Sequence, residues 1–481
     1  MQLPMSSSRY VYQYLPLLCL LDLAFSIPAG TGTLTPPPSA YATHTIPVSG
    51  ALTATASLAG PLPPGASAEP TQNTINAHPD LVPGQASNSS ADASQSFDFL
   101  NVTDPQPIRG DMGSNDPGPH DSAYDRQNPD TLARPTTDEG DVQQAKWPMG
   151  LSSTRMTGAG WARQQNVDVL PAAKQMAGVD MRLGPDAYRE LHWHSANEWA
   201  YVLNGSARIS AIDAQGRNFN DDVSEGDLWY FPSGLPHSIQ ALENGVEFLL
   251  VFDDGAFSED DTFLITEWFS HTPREVLAKN FGVPIKAFDE VPKEQLYIFN
   301  GTPPAVNVSA DAVQSPEGTI PEPFSFHLSR QEPMVVPGGS VKVVDSGTFK
   351  ASTSIAAAVV TIKPGAMREM HWHPNSDEWN FFISGRARIT VFDAPQSART
   401  FDYAAGDVGY ILVDQGHYIE NIGDEDVVLL EVLKAPQFED VSLGQWMALT
   451  PPQVVKDTLH LDNDVLSGLS REKQYVVAAQ P

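Results

Sequence analysis

The sequence is nearly free of cysteine, poor in positive charge and without an apolar run long enough to span a bilayer. Its one cysteine, Cys19, sits in the apolar stretch Tyr14 to Phe25, behind Arg9. A short apolar run after a weakly basic start reads as a secretory leader, placed at residues 1–29 with cleavage near Ser26 to Ala29. Asp22 interrupts the run, which is shorter than the ~20 residues of a spanning helix. The competing reading is a buried helix, but the next segment offers nothing for it to pack against. Once cleaved, the chain has no cysteine and no disulfide, so its stability comes from its core. It is expected to be secreted and extracellular.

Lysine and arginine number 28 against 59 acidic residues, a net charge of -31. This balance argues against nucleic acid or an anionic membrane surface as partner. An anionic substrate needs cations placed at its site. Such a surface also becomes less self-repelling as pH falls, which fits an acidic extracellular setting. No Lys or Arg occurs between Arg9 and Arg109, and residues 30–105 are mostly Pro, Ala, Ser, Thr and Gly. Too few apolar side chains are present to offset the entropy of ordering, so disorder is expected there. Sequons follow at Asn88, Asn101, Asn204, Asn300 and Asn307, compatible with a glycoprotein.

The rest of the chain is duplicated. Gly205-Ser-Ala-Arg-Ile-Ser210 matches Gly385-Arg-Ala-Arg-Ile-Thr390, and Gly226-Asp-Leu-Trp-Tyr230 matches Gly406-Asp-Val-Gly-Tyr410, both at an offset of 180. Arg189-Glu-Leu-His-Trp-His194 matches Arg368-Glu-Met-His-Trp-His373 at 179, so the second copy gains one residue in between. A repeat of this length is a duplicated domain. Short β-type runs such as Val246 to Phe252 and Val427 to Leu433, separated by turn signals, make each copy all-β, a sandwich or barrel. Short helices are expected after each β block, starting at Thr272-Pro273 and Thr450-Pro451, with the threonine as cap.

The first copy contains His192, His194, Glu198 and His237; the second contains His371, His373, Glu378 and His417. Residues two apart on a strand share a face, so each His-Trp-His presents two imidazoles together. Glu198 has the parity of its histidines; Glu378 does not, so its extra residue must be absorbed near Pro374 and Asn375. Both glutamates precede the last histidine by 39 residues, which delivers it from another strand in an equivalent place. Three imidazoles and a carboxylate leave two positions of an octahedral ion open. Without sulfur ligands, Mn(II), Fe(II) and Ni(II) all remain candidates. Arg189 and Arg368 stand three residues before the first ligand of each set. Turned inward by a local irregularity, each can hold a carboxylate.

At these residues the chain resembles the bicupin oxalate decarboxylases. The likeness lies in the two His-x-His motifs with different spacers to glutamate, Gly226 through His237, and Gly406 to Tyr410 followed by Gly416-His417; it runs from about Gln106 to Val477. It implies two double-stranded β-helix (cupin) barrels in tandem, an N-terminal one over 106–325 with a lid and a C-terminal one over 326–481. It also implies Mn(II) in each barrel, a need for dioxygen, conversion of oxalate to formate and carbon dioxide, and a homo-oligomer, trimeric or hexameric. The family's lid carries Ser-Glu-Asn; the matching segment here is Ser258-Glu259-Asp260-Asp261. The resemblance gives Glu259 the proton transfer and Arg189 the polarisation of a substrate carboxyl. The second copy has no such lid, but Glu431 interrupts an apolar run where Val251 stands 180 positions earlier, and is expected to partner Arg368. Trp193 and Trp372 are expected to pack between the barrels. Other readings are an oxalate oxidase releasing carbon dioxide and hydrogen peroxide, a quercetinase-like dioxygenase, or a non-catalytic bicupin storage or binding protein. Product analysis and metal content separate them.

Overall fold

The computed structural model describes residues 127–131 and 134–479. The leader with Cys19, the 30–105 segment and the Asn88 and Asn101 sequons lie outside them. In the first copy the strands are β1 (Lys146–Pro148), β2 (Thr154–Met156), β3 (Gly160–Gln165), β4 (Ala177–Leu183), β5 (Tyr188–Trp193), β6 (Glu198–Ile212), β7 (Asn218–Ser224), β8 (Leu228–Phe231), β9 (His237–Phe252), β10 (Phe263–Leu264), β11 (Ile298–Phe299) and β12 (Ser325–Phe326). The second contributes β13 (Met334–Val336), β14 (Gly339–Val344), β15 (Ala356–Ile362), β16 (Met367–Trp372), β17 (Glu378–Ser384), β18 (Arg386–Asp393), β19 (Ser397–Ala404), β20 (Asp407–Ile411), β21 (Gly416–Asn421), β22 (Val427–Leu433), β23 (Val441–Ser442) and β24 (Val476–Val477). All strand pairings within the sheets are antiparallel, and each copy closes into a barrel, as expected of the cupin fold.

Strands β6 and β9 are long enough to run through both halves of the first barrel, and they bend where Gly205 and Gly245 have φ near +80° (81° and 77°). A side chain at Gly205 would put its Cβ 2.1 Å from the Gly245 carbonyl oxygen, so the close crossing that turns the sheet back on itself requires glycine. The apolar runs are continuous because both strand faces are buried. In β9, Phe248 and Leu250 fill the barrel, while Leu249 and Val251 join Trp199, Tyr230, Trp379, Tyr410 and Val432 in a core shared with the other barrel. The second barrel has its own interior around Val360, Phe382, Ile389, Tyr403 and Leu429.

The sheets do not follow the expected domain boundaries. Strand β1, which precedes the first barrel in sequence, pairs with β20 of the second. Its Lys146 is buried there, 3.0 Å from Asp407 and bonded to the Asp402 carbonyl oxygen at 2.6 Å. A lysine buried this deeply is stable only against such partners, so β1, with Asp130 and Asp138 before it, belongs structurally to the second barrel. The helices after each barrel form at Ile265–Ser270 and Arg274–Phe281, and at Leu443–Leu449 and Pro452–Leu459. The threonines do not cap the second helix of each pair. Thr272 and Thr450 donate instead to the carbonyls of Trp268 and Trp446, closing the helix before. Among the described residues no helix is long and apolar enough to cross a membrane.

Candidate metal centres

The structure brings each predicted ligand set together. The donor atoms of His192, His194, Glu198 and His237, and those of His371, His373, Glu378 and His417, each lie within 4.8 Å of one another, and all eight residues are buried. The two His-Trp-His segments end β5 and β16, the glutamates open β6 and β17, and the last histidines lie on β9 and β21. Glutamate and histidines therefore sit on different strands joined by a turn, and strand parity does not govern Glu198. The additional residue of the second copy lies in that turn, between Trp372 and Glu378, as its spacing required.

Every imidazole is aimed by the same device. Nδ1 meets a backbone carbonyl oxygen at 2.6 Å for His192, 2.8 Å for His194 and 2.8 Å for His237. The distances are 2.7, 2.6 and 3.0 Å for His371, His373 and His417. This fixes the tautomer with its proton on Nδ1 and turns Nε2 inward as a ligand. Nε2 of His237 and of His371 is buried without a hydrogen-bond partner, an arrangement a divalent cation would satisfy.

The electrostatics of the metal-free clusters agree with this. Burial, the nearby arginine and the other imidazoles push His192 and His371 well below the usual histidine range, so both are neutral donors. Burial works to raise Glu198, but His237 and His194 outweigh it and hold the carboxylate ionised; His417 and His373 do the same for Glu378. His194 and His373 differ: burial lowers both, yet the Glu198 and Glu378 carboxylates, each 2.9 Å away, outweigh burial and raise them.

Both arginines face inward because the ladder slips between Arg189 and His192, and between Arg368 and His371. Their surroundings differ. Arg189 donates one bond, from Nη2 to Glu259 at 3.1 Å, and its buried Nη1 has no hydrogen-bond partner. Glu259, in the short turn Glu259–Asp261, also accepts from the Tyr297 hydroxyl at 2.9 Å and lines a cavity of about 460 Å³. Arg368 has an acceptor at each of its three nitrogens: it reaches Glu431 at 3.1 and 3.4 Å, Asp440 at 2.6 Å and the Tyr475 carbonyl at 3.5 Å. Two carboxylates share this guanidinium. Asp440, which also contacts Lys473, is held below the ordinary value because these cations outweigh its burial; burial raises Glu431.

The ladder places Glu431 opposite Asn380 where Leu250 faces Ala200. Leu250 is thus its structural counterpart rather than Val251, whose side chain faces the other barrel. The expected packing of Trp193 and Trp372 between barrels is also not found. Trp193 stacks on Phe263 at 5.5 Å and meets Trp268 edge-on, and Trp372 meets Trp446 at 5.7 Å, each against its own barrel's helix. Sequence reasoning missed Trp229, whose indole donates to Glu198 Oε1 at 2.7 Å, although Gly409 at the matched position was a visible departure. It also missed Tyr297 and Tyr475. Gln295-Leu-Tyr297 and Gln474-Tyr475 near the end of each copy carried that signal.

The cupin family signature matches residues 152–287 and 326–466. The chain is similar to an oxalate decarboxylase of Bacillus subtilis, 52% identical over 373 residues that cover 78% of this chain and 97% of that one. A probable oxalate decarboxylase of Arthroderma benhamiae is 43% identical, with 75% and 90% covered. A solved structure described for the Mn(II) centres of the Bacillus subtilis enzyme superposes with a TM-score of 0.76 at 52% identity, covering 78% of this chain and 100% of that one.

Proposed function

The chain belongs to the bicupin oxalate decarboxylases of the cupin family, and from that premise we propose how its first barrel turns oxalate into formate and carbon dioxide. The observation that carries the assignment to this barrel is the contrast between the arginines. Buried Arg189 has a guanidinium nitrogen to spare, beside a glutamate on a short turn that lines a cavity. Every guanidinium nitrogen of Arg368 is already engaged by a protein acceptor.

His192, His194, Glu198 and His237 hold one Mn(II), and His371, His373, Glu378 and His417 the other. When bound, the ion would supply a Lewis-acidic, redox-capable centre for a carboxylate substrate and dioxygen. Arg189 orients oxalate monoanion and draws charge from one carboxyl. The Glu259 carboxylate takes the acid proton of the substrate. The carbon–carbon bond breaks, carbon dioxide leaves, and Glu259 returns the proton to the remaining carbon, giving formate. The reaction is redox-neutral overall: one hydrogenoxalate yields one formate and one carbon dioxide. The Tyr297 hydroxyl and the Arg189 guanidinium hold Glu259 at that carbon, while Phe252, Phe257 and Phe231 wall the ligands from solvent. In the second barrel, Glu431 and Asp440 immobilise Arg368, which suits a site that binds metal without turning substrate over.

We also read the chain as exported, on the strength of its leader; Asn204, Asn300 and Asn307 are all exposed, as glycosylation requires. The aromatic faces around Trp268 and Trp446, 60% and 57% exposed, support assembly into a trimer or hexamer. Purified manganese-loaded protein given 13C-oxalate at acidic pH should release one formate per oxalate. Hydrogen peroxide with two carbon dioxides, and no formate, would make it an oxidase.

A further inference from the structure

Arg189 and Tyr297 hold the carboxylate of Glu259, but the turn that carries it is a rim segment, and Asp260 beside it is 86% exposed. From the barrel wall, Arg155 on β2 reaches this turn. Its Nη1 lies 3.3 Å from Asp260 Oδ1, and its Nη2 donates to Gln295 Oε1 at 2.6 Å. Its guanidinium also lies 3.7 Å from the centroid of the Tyr297 ring, which Arg189 contacts at 4.3 Å. One side chain thus touches both the turn and the tyrosine that orients Glu259. The second barrel has no counterpart: Met334 pairs with Val341 as Arg155 pairs with Ala162.

We propose that Arg155 is a positioning residue that latches the closed lid, holding the acidic turn through Asp260 and the Glu259-orienting hydroxyl through Tyr297. This rests on the decarboxylation proposed above and names what keeps Glu259 at the substrate long enough to return its proton. The latch depends on this chain's own Asp260, because a neutral amide at that position carries no charge for the guanidinium to attract. An exposed, single-contact ion pair of this kind changes a two-state balance by about two- to fivefold and weakens as salt is added. Stacking on the tyrosine adds a contribution that salt screens less.

The test uses the full-length, manganese-loaded protein with Arg155→Gln, Arg155→Lys, Asp260→Asn and the double variant Arg155→Gln/Asp260→Asn. Formate and hydrogen peroxide per oxalate, kcat and KM are measured at about 0.05 and about 0.5 M salt. Arg155→Gln is expected to raise the peroxide share about two- to fivefold, through a lower kcat for formate rather than a higher KM. Asp260→Asn should give part of this effect and lose the salt dependence. The double variant should be no worse than Arg155→Gln, and Arg155→Lys should restore part of the salt-sensitive share. Metal content should stay unchanged. Additive effects of the two substitutions, or an unchanged product ratio in Arg155→Gln, would overturn the latch. Amide exchange over residues 256–264 reads the latch without chemistry: it should speed up in Arg155→Gln even if the wild type proves to make no formate, and unchanged exchange would likewise count against the proposal.

Discussion

Replacing Asp180 by asparagine should make the protein more stable at neutral pH and leave it unchanged in acid. Asp180 on β4 is 1% exposed. Its Oδ2 accepts both Arg163 Nε at 3.0 Å and Nη2 at 2.8 Å, but its Oδ1 is buried with no hydrogen-bond partner. Burial, only partly offset by Arg163, pushes this carboxyl up to about 6. The folded protein therefore holds the proton more tightly than the unfolded chain, whose aspartates titrate near about 3.9. The group's contribution is full below about pH 4 and is lost as pH rises through about 6, a swing of about 3 kcal/mol. Asparagine keeps the shape without the charge, and Arg163, its side chain 28% exposed, can turn to water. Urea unfolding midpoints should coincide at about pH 4 and favour Asp180→Asn by about 2–3 kcal/mol at about pH 7.5. A variant less stable than wild type at the higher pH would show that the ion pair outweighs the cost of burying it, and the reasoning would fail.

Glu259→Gln removes the proton carrier while Arg189 and the metal ligands stay, so formate release should fall by about 10²–10⁴-fold with oxalate still binding, checked by steady-state formate assay and by calorimetry. In the metal-free cluster Glu198 favours a proton on His194, which a divalent cation must displace. Manganese binding should therefore release protons and weaken as pH falls, starting above the ordinary histidine value, which calorimetry in two buffers of different ionisation enthalpy detects. Glu431→Leu, which gives the second barrel the residue type of Leu250, leaves buried Arg368 with Asp440 as its one carboxylate beside the Tyr475 carbonyl. Leaving the buried Nε without its acceptor should cost about 1–3 kcal/mol, seen as a lower thermal midpoint, with formate turnover per first-barrel metal intact.

The eight ligands were legible because duplication turned separate histidines into two matched sets whose spacing has a reason: two residues on one strand, and 39 to the strand that completes the pocket. The inward arginines were legible as a conflict, since odd spacing demanded an irregularity, and the ladder has one at both places. What pairs across the chain was not legible. Nothing local says that β1 leaves its own repeat to extend the other barrel, because strand pairing depends on which edge is free. Counting by 180 matched Glu431 with Val251, and a slip of one residue moves a side chain from the barrel interior to the outer face. Trp193 and Trp372 read as packing residues, but their neighbours came from helices placed by tertiary structure.

If, as proposed, both pockets hold manganese and the first alone supports decarboxylation, loss of one ligand in each barrel must have different consequences. Metal analysis with formate assay on wild type, His237→Ala and His417→Ala tests this most directly. Two manganese per chain are expected in wild type and one in each variant, with formate production abolished in His237→Ala and retained per first-barrel ion in His417→Ala. Full formate production by His237→Ala, or a wild-type chain that takes up no manganese, would contradict it.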